Sequence, residues 1–186
     1  MSQITKKALA SSLKSLMNTT SLNKITINNI VQDCGLNRRT FYYHFKDIYD
    51  LLEWILKTEI NKEIKENITF EEWQQSFLKI LNYLSENKKM IFNIYNSIDL
   101  KQLEMHVHKA VYKLVFKVVN DLSEEIDISQ VEKEFVLNYY KISLTGLLIE
   151  WIKNKMEENP EQIIKNLNKI VNGDVHKLLL RSESIK

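Results

Sequence analysis

Residues that interrupt helices are rare in this chain. Three glycines and one proline occur in 186 residues, whereas folds rich in strands and turns use many more of both. Apolar residues make up 44% and charged residues 27%, a mixture that is typical of a globular chain with a substantial core. We therefore predict an all-α protein of about nine helices.

Capping signals mark a pair of short helices near the N-terminus. Thr26 is a suitable N-cap for the first of them. Gly35 follows at the position where a left-handed residue ends a helix, and Asn37 is a suitable N-cap for the next helix, over residues 38–45. Two short helices joined by such a turn form a helix-turn-helix. With an amphipathic helix over residues 4–17, they predict a three-helix N-terminal domain.

Further capping signals divide the rest of the chain. Asp47 is a suitable cap for a long fourth helix that extends to about residue 67. Capping boxes at residues 69–72 and 129–132 and a proline at position 160 predict the starts of three others. Two further helices are predicted over residues 88–95 and 100–122. The helix that starts at residue 129 is predicted to end near residue 156, and the last helix begins at residue 160.

Charge is divided unequally along the chain. Residues 1–46 hold seven basic residues against one acid, Asp33, whereas residues 47–186 hold 19 basic residues against 23 acids. A basic segment joined to a mildly acidic body is typical of a polyanion-binding module with a separate partner domain. We therefore predict a polyanion-binding domain over residues 1–46 and a separate partner domain over residues 47–186.

The segment over residues 25–45 carries a family resemblance. It has a threonine after an apolar residue, an Ile-Val pair, a Gly-Leu turn and the run Thr-Phe-Tyr-Tyr-His-Phe. It closely resembles the DNA-binding signature of the TetR family, and with its flanking helices the resemblance covers about 55 residues. Residues 146–152 and the Pro-Glu pair at 160–161 resemble, more loosely, the subgroup of dihydroxyacetone-kinase regulators. The resemblance implies a dimeric regulator that binds DNA and responds to a signal. It implies a helix-turn-helix DNA-binding domain over residues 1–46 and a helical dimerisation and effector or partner domain over residues 47–186.

The second helix of the predicted pair is the reader, because residues near its start meet base edges in the major groove. Here these residues are Asn37, Arg38, Arg39 and Thr40. Arginine donates two hydrogen bonds to guanine, and threonine contacts a thymine methyl group. The chain has three arginines, and two are adjacent at this site, so we expect Arg38 and Arg39 to use their planar guanidinium groups on bases. The alternative is a pair of solvated arginines on an exposed helix.

Other predicted DNA contacts surround the reader. The resemblance implies that Tyr42 and His44 approach phosphates, and that Tyr43 reaches a phosphate or a base. Thr26 and Asn28, at the start of the preceding helix, are placed for phosphate contact.

The start of the fourth helix departs from the family pattern. The family usually has a lysine there, and this chain has Ile48, so we expect Lys46 to supply that phosphate contact.

Phe41 and Phe45 lie four residues apart on one helical face and are predicted to be core.

The predicted eighth helix is apolar on almost every side over residues 135–152, so it is expected to be covered on more than one side. One stripe is predicted to pack on its own domain: Val136, Tyr140, Leu144, Leu147 and Trp151. The resemblance implies that a second stripe, with residues of the ninth helix, forms a twofold dimer seam: Phe135, Tyr139, Ile142, Gly146, Ile149, Ile163, Leu167 and Ile170. The alternative is a monomer core with helices on both sides.

These features favour a sequence-specific transcriptional regulator. The preferred interpretation is a TetR-type repressor that binds a pseudo-palindromic DNA operator and is released by a small-molecule effector. The alternative is an activator controlled by a protein partner. No motif for an enzyme is found, because the chain lacks a glycine-rich phosphate loop, a nucleophile elbow and a metalloprotease helix. A purely structural protein would not need the arginine pair.

Metal and cofactor sites are not predicted. His106 and His108 lie two residues apart on one helix and therefore point to nearly opposite sides. The single cysteine, Cys34, excludes an intramolecular disulfide and is expected to be a small core residue. No signal peptide or membrane-spanning run is found, so we expect a cytoplasmic protein that does not bind membranes.

Overall fold

The computed structural model describes residues 2–63, 69–125 and 129–184. The described residues form nine α-helices, one short 3₁₀ turn at Leu22–Lys24 and no strand, so the predicted all-α fold is confirmed. The helices are α1 (Ser2–Met17), α2 (Ile27–Asp33), α3 (Arg38–His44), α4 (Ile48–Glu63), α5 (Trp73–Glu86), α6 (Lys88–Ser97), α7 (Leu100–Glu125), α8 (Gln130–Lys153) and α9 (Pro160–Ser184). Among these residues, none of the helices has an apolar stretch long enough to cross a membrane.

The chain divides into two compact units. The first unit comprises Met1–Lys62 and Asn87–Ile98, and the second comprises Glu63–Glu86 and Asp99–Lys186. The first unit therefore includes α6 in addition to the helix-turn-helix and α4. These units differ in their bounds from the predicted domains, whose division at residue 46 concerns function and stays a prediction.

The first unit has a core of interlocking apolar side chains, which the amphipathic patterns of α1 to α4 supply. Its most buried members are Leu9, Leu13, Ile30, Phe41, Leu51 and Ile55, each no more than 1% exposed. The buried Ser12 hydroxyl donates to the Ile30 carbonyl at 3.0 Å, which joins α1 to α2. The Lys14 ammonium binds both carboxylate oxygens of Glu59 at 2.8 and 2.9 Å, which joins α1 to α4.

The Asn93 side chain joins α6 to the end of α1 and to the segment that follows it. The Asn93 amide donates to the carbonyls of Met17 and Thr20 at 2.8 and 2.7 Å. The Asn93 amide oxygen accepts from the Leu22 backbone at 2.7 Å. Because buried and half-buried backbone groups need partners, Asn93 explains how a helix distant in sequence becomes part of this unit.

The second unit is built around α7 and α8, which pack through Val111, Val115, Val119 and Leu137. Val136, Tyr140 and Leu144 pack against this cluster, as predicted. Helix α9 contacts α5, and the Gln74 amide donates to the Asn168 amide oxygen at 2.7 Å.

Some predicted boundaries differ from the structure. Helix α5 begins at Trp73, because residues 70–72 form a turn in which the Glu72 backbone donates to the Thr69 carbonyl at 3.1 Å. Helix α8 ends at Lys153, three residues before its predicted end. The predicted extension of the fourth helix to residue 67 lies outside the described residues.

Candidate DNA-binding site

Helix α2 begins with a reciprocal cap. The Thr26 hydroxyl oxygen accepts from the Asn29 backbone at 3.2 Å, and the Asn29 side-chain oxygen accepts from the Thr26 backbone at 2.9 Å. The predicted Thr26 cap is confirmed, but Asn29 was not predicted because the usual partner in such a box is Glu or Gln. Asn28, between them, is exposed.

The turn between α2 and α3 has the predicted left-handed residue. Gly35 has φ +67°, and the Leu36 backbone donates back to the Val31 carbonyl at 2.7 Å. The half-buried Cys34 thiol donates to the Ile30 carbonyl at 3.1 Å. Burial raises the pKa of the Cys34 thiol above its ordinary value, so the thiol stays protonated at neutral pH.

The cap of α3 uses two of the predicted base-reading residues. The Asn37 side-chain oxygen accepts from the Thr40 backbone at 2.9 Å and from the Thr40 hydroxyl at 3.1 Å. The Asn37 oxygen is therefore occupied in holding the helix start. What remains for DNA is the Asn37 amide group and the Thr40 methyl group.

The two arginines of α3 differ in their surroundings, although both are exposed. The Arg38 guanidinium donates to the Tyr42 hydroxyl at 3.3 Å and lies 5.9 Å from the centre of that ring. Arg39 makes no hydrogen bond or ion pair with the described part of the chain. Arg38 is thus held against Tyr42, which lies one helical turn further along α3, whereas Arg39 projects into solvent.

The aromatic residues of α3 divide between core and surface as predicted. Phe41 and Phe45 are buried, at 0% and 3% exposure. Tyr43 is 82% exposed, and its ring meets the half-buried His44 edge to face at 4.9 Å. Tyr42 is also exposed, so all three polar aromatic side chains of the motif lie at or near the surface of the helix.

The start of α4 is occupied by acidic side chains. The Asp47 carboxylate accepts from the Asp50 backbone at 2.9 Å, which confirms the predicted cap, and the Asp50 carboxylate accepts from the Lys46 backbone at 2.9 Å. Lys46 itself is exposed and Ile48 is half-buried. The carboxylates of Asp47 and Asp50 repel an anion at the start of α4. A phosphate contact by Lys46 would therefore form against this repulsion.

One exposed lysine near the site was missed at the sequence level. Lys24 ends the 3₁₀ turn two residues before the Thr26 cap. The concentration of basic residues in the first 46 positions was the signal that could have identified it.

Comparisons with known proteins agree with this geometry. Residues 71–173, more than half of the chain, match the TetR model described as a transcriptional regulator C-terminal region. The HTH-type dhaKLM operon transcriptional activator DhaS of Lactococcus lactis subsp. lactis (strain IL1403) is 31% identical over 168 residues, which cover 88% of this chain and 89% of that protein. The chain belongs to the TetR family of transcriptional regulators.

Solved structures of TetR-family proteins share the fold. The dihydroxyacetone kinase operon activator DhaS matches with a TM-score of 0.76 and 26% identity, covering 94% of this chain and 98% of that one. The TetR family repressor AlkX from Dietzia sp. strain DQ12-45-1b matches with a TM-score of 0.54 and 14% identity, covering 93% of this chain and 96% of that one. The looser resemblance to dihydroxyacetone-kinase regulators is thus confirmed.

A long apolar stripe of this TetR-family chain faces solvent on α8. Phe135, Tyr139 and Ile142 are 71%, 48% and 58% exposed, and Val131, which was not predicted, extends the stripe at 78%. Gly146 is exposed, and a side chain added there would meet nothing within 4 Å.

Other residues of the predicted seam are less uniform. Ile149 and Ile163 are half-buried, and Ile170 on α9 is 53% exposed. Leu167 is 8% exposed, so it packs within its own chain and offers almost no surface to a second subunit. Leu147 was predicted to pack inward but is 52% exposed; Thr145, at 2%, takes the inward position instead.

Within the described residues, no group of three or more His, Cys, Asp or Glu side chains is placed to hold a metal ion. His108 contributes to packing instead, because its Nδ1 lies 2.9 Å from the hydroxyl oxygen of the buried Thr145. That contact joins α7 to α8.

Proposed function

We propose that this TetR-family regulator binds a pseudo-palindromic DNA operator as a homodimer in the cytoplasm, where it changes transcription in response to a signal. The observation that carries the proposal is the start of α3, where an arginine pair stands exposed immediately after a left-handed turn. This is the arrangement with which a helix-turn-helix enters the major groove.

The two arginines have different roles in this proposal. Arg39, which projects into solvent, reads a guanine through its O6 and N7 atoms. Arg38, held against Tyr42, acts with that tyrosine on the phosphate backbone. A side chain that is already positioned loses less entropy on binding, which favours a fixed phosphate contact for the Arg38–Tyr42 pair.

The remaining predicted contacts complete the proposed interface. We assign Thr26, Asn28, His44 and Lys46 to phosphates, Tyr43 to a phosphate or a base, and the Asn37 amide and Thr40 methyl groups to base edges. Lys24 is added to the phosphate group because it is exposed beside the α2 cap.

A second copy of the chain covers the apolar stripe of α8. The seam consists of Phe135, Tyr139, Ile142, Gly146, Ile149, Ile163 and Ile170, with Val131 added and Leu167 omitted because of its burial. Large exposed apolar stripes are typical of interaction surfaces, and the glycine lets two helices approach closely. The monomer alternative would require another element of the chain to lie over these side chains, which are 48–71% exposed at Phe135, Tyr139 and Ile142.

Activation is the sign of regulation that the sequence relationships favour. The Lactococcus relative is named an operon transcriptional activator and is 31% identical, whereas the AlkX repressor, at 14% identity, supports the fold alone. The repressor interpretation makes the opposite prediction, since deleting the gene would raise the target transcript instead of lowering it. Measurement of that transcript with and without the gene distinguishes the two.

The signal is proposed to act through α4, which connects the helix-turn-helix to the rest of the chain. A small-molecule effector or protein co-regulator must prefer one separation of the two readers, and DNA and the signal then influence each other reciprocally. A coupling of about 1–3 kcal/mol would change DNA affinity about 5- to 150-fold.

The test of the DNA-binding proposal begins with selection of bound duplexes from a random library. On the selected operator, Arg39→Ala is expected to cost about 1–3 kcal/mol and to relax discrimination at one base pair. Arg38→Ala, the matched control on the adjacent position, is expected to weaken all sequences about equally and to reduce the salt dependence of binding.

The opposite result would contradict the assigned roles. If Arg38→Ala relaxes a base preference and Arg39→Ala does not, the two arginines must be exchanged in the proposal. If the parent protein selects no sequence and its binding to duplex DNA does not depend on salt, the DNA-binding function is wrong.

A further inference from the structure

The exposed face of α7 combines aromatic and basic side chains. We call it the α7 face and define it by Lys101, Met105, Lys109, Tyr112, Lys113 and Phe116, all of which are exposed. Met105 is 60% exposed, and Tyr112 and Phe116 are each 40% exposed, with their ring centres 5.7 Å apart. These residues recur with helical spacing, so they form one continuous stripe.

The opposite side of α7 is fully used in packing. Val111, Val115 and Val119 are each no more than 7% exposed and form a cluster with Leu137 of α8. The α7 face is therefore the side of an amphipathic helix that the described part of the chain leaves uncovered.

The charge of the α7 face is opposite to the net charge of residues 47–186. Among the α7 side chains that the structure describes, four exposed residues are lysines and one, Glu104, is acidic. The whole segment over residues 47–186 carries 19 basic residues against 23 acids. A basic stripe on an acidic body steers a negatively charged partner to one place.

We propose that the α7 face is the docking surface for an acidic protein, the co-regulator or transcription component through which this regulator acts. This proposal rests on the proposed function and names the partner's chemistry: carboxylates opposite the lysines, and an apolar pocket for the Tyr112–Phe116 pair. A few anchor side chains in desolvated pockets carry most of the binding energy at protein interfaces, and tyrosine is enriched among them.

Other occupants fit the face less well. A twofold axis through it would bring lysines of two copies together, and like charges cannot form a self-complementary contact. Pairing with the acidic end of α8 on another copy, near Glu132 and Glu134, would compete with the proposed seam at Val131 and Phe135, and a shift in mass would reveal it. Duplex DNA would satisfy the lysines but offers no apolar pocket for Met105 and Phe116.

The test compares three double variants of the full-length protein. The aromatic variant is Tyr112→Ala with Phe116→Ala, and the charge variant is Lys101→Glu with Lys113→Glu. The matched control reverses two exposed lysines of α9, Lys165→Glu with Lys169→Glu. Three quantities are measured for each: affinity for the selected operator, mass in solution, and transcription from a reporter carrying that operator in the native host.

We expect the aromatic and charge variants to keep parental DNA affinity and mass but to lose regulated transcription by about tenfold or more, as for loss of an interface hot spot. The α9 control should regulate like the parent. Should the aromatic variant fail to fold, the charge variant decides, because reversing Lys113 places Glu four residues from Lys109 and Lys117 and so supports the helix.

Three outcomes would overturn the inference. A loss of operator affinity in either variant would make the face a DNA contact, and a shift in mass would make it a contact between copies. Parental regulation by both variants would mean that nothing docks there. Failure of the parent to bind any selected DNA is a separate result, since it contradicts the proposed function and not the docking surface.

Discussion

The first and second units both join their helices through apolar packing and polar side chains. In the first unit, single polar side chains hold the helices at defined points: Ser12 on the Ile30 carbonyl, Lys14 on Glu59 and Asn93 on the segment after α1. In the second unit, α7 and α8 pack through valine and leucine, and the His108–Thr145 and Gln74–Asn168 pairs add polar contacts between helices. Directional contacts fix one geometry more strictly than apolar packing does.

The two units differ in what they leave exposed. The first unit presents arginine, tyrosine and lysine side chains around α3, whereas the second presents an apolar stripe on α8 and the mixed aromatic and basic α7 face. A surface that reads DNA has to be rigid and polar, and a surface that binds another protein uses apolar anchors. The difference supports the proposed separation of DNA recognition in the first unit from assembly with other chains in the second.

The largest effect is expected when a core side chain of the first unit is truncated, which tests whether the two units unfold separately. Phe41 is completely buried, so Phe41→Ala should lower the free energy of unfolding of that unit by about 3–5 kcal/mol. Hydrogen exchange should accelerate in α1 to α4, while α7 and α8 stay protected. Tyr42→Ala, at the exposed neighbouring position, should change stability by about 0.5 kcal/mol or less. Equal loss of protection in both units would mean that they unfold as one.

A charged residue in the α8 stripe should weaken the dimer, whereas a charged residue on the α7 face should not. Ile142→Asp should weaken the dimer by about 2 kcal/mol or more, because a buried unpaired carboxylate is costly, while the melting temperature of the monomer changes little. Sedimentation over a range of concentrations measures this. Lys113→Asp on the α7 face is the control and should leave the mass unchanged.

A bulky residue at Gly146 sharpens the same prediction. A Cβ atom added at Gly146 meets nothing within 4 Å, so we expect Gly146→Trp to leave the monomer folded and to cause dissociation between subunits, with the melting temperature of the monomer as the check. A parent protein that sediments as a monomer while binding its operator tightly would contradict the dimer.

A smaller loss of stability is expected when the polar contacts of Asn93 in the first unit are removed. Asn93→Ala removes three hydrogen bonds to backbone groups and should cost about 1–3 kcal/mol. Exchange should accelerate in α6 and around Leu22. Asn96→Ala, at an exposed position of the same helix, is the matched control. If the two variants are equally stable, Asn93 does not hold α6 in place.

The smallest effect concerns the thiol in the turn. Because burial raises the pKa of Cys34, its reaction with iodoacetamide near pH 8 should be slower in the folded protein than in urea. The rate should rise with pH and level off only above the raised pKa, since the thiolate is the reactive form. A folded-state rate as fast as that in urea would mean that the turn gives no protection.

Sequence patterns predicted the local features of the fold well. The caps at Thr26, Asn37 and Ser129 and the left-handed Gly35 are fixed by neighbours within a few residues, and each is confirmed. The same pattern was wrong for the start of α5, where residues 70–72 turn instead and the Phe70 backbone donates to the Asp121 carboxylate at 2.7 Å. A contact 51 residues away in sequence leaves no local signal.

For the candidate site, sequence patterns predicted the helix but not the surroundings of each side chain. Both arginines were predicted at the start of this helix, and α3 does begin at Arg38, yet only the geometry separates Arg38, against Tyr42, from Arg39. That these residues contact DNA stays a prediction. The inward and outward sides of α8 were also hard to assign. That helix is apolar all round, so periodicity could not exclude the exposed position of Leu147.

The surroundings of Trp54 give the protein a natural optical probe. Its indole lies 5.9 Å from the centre of the Phe45 ring and 5.9 Å from the Lys6 ammonium, and it is half-buried in the first unit. The other two tryptophans, Trp73 and Trp151, are buried in the second unit. Because a nearby cation interacts directly with an aromatic ring, the emission of Trp54 depends on where Lys6 and the end of α3 lie. A protein in which Trp73 and Trp151 are replaced by phenylalanine would therefore report DNA engagement by its own fluorescence, without any attached dye.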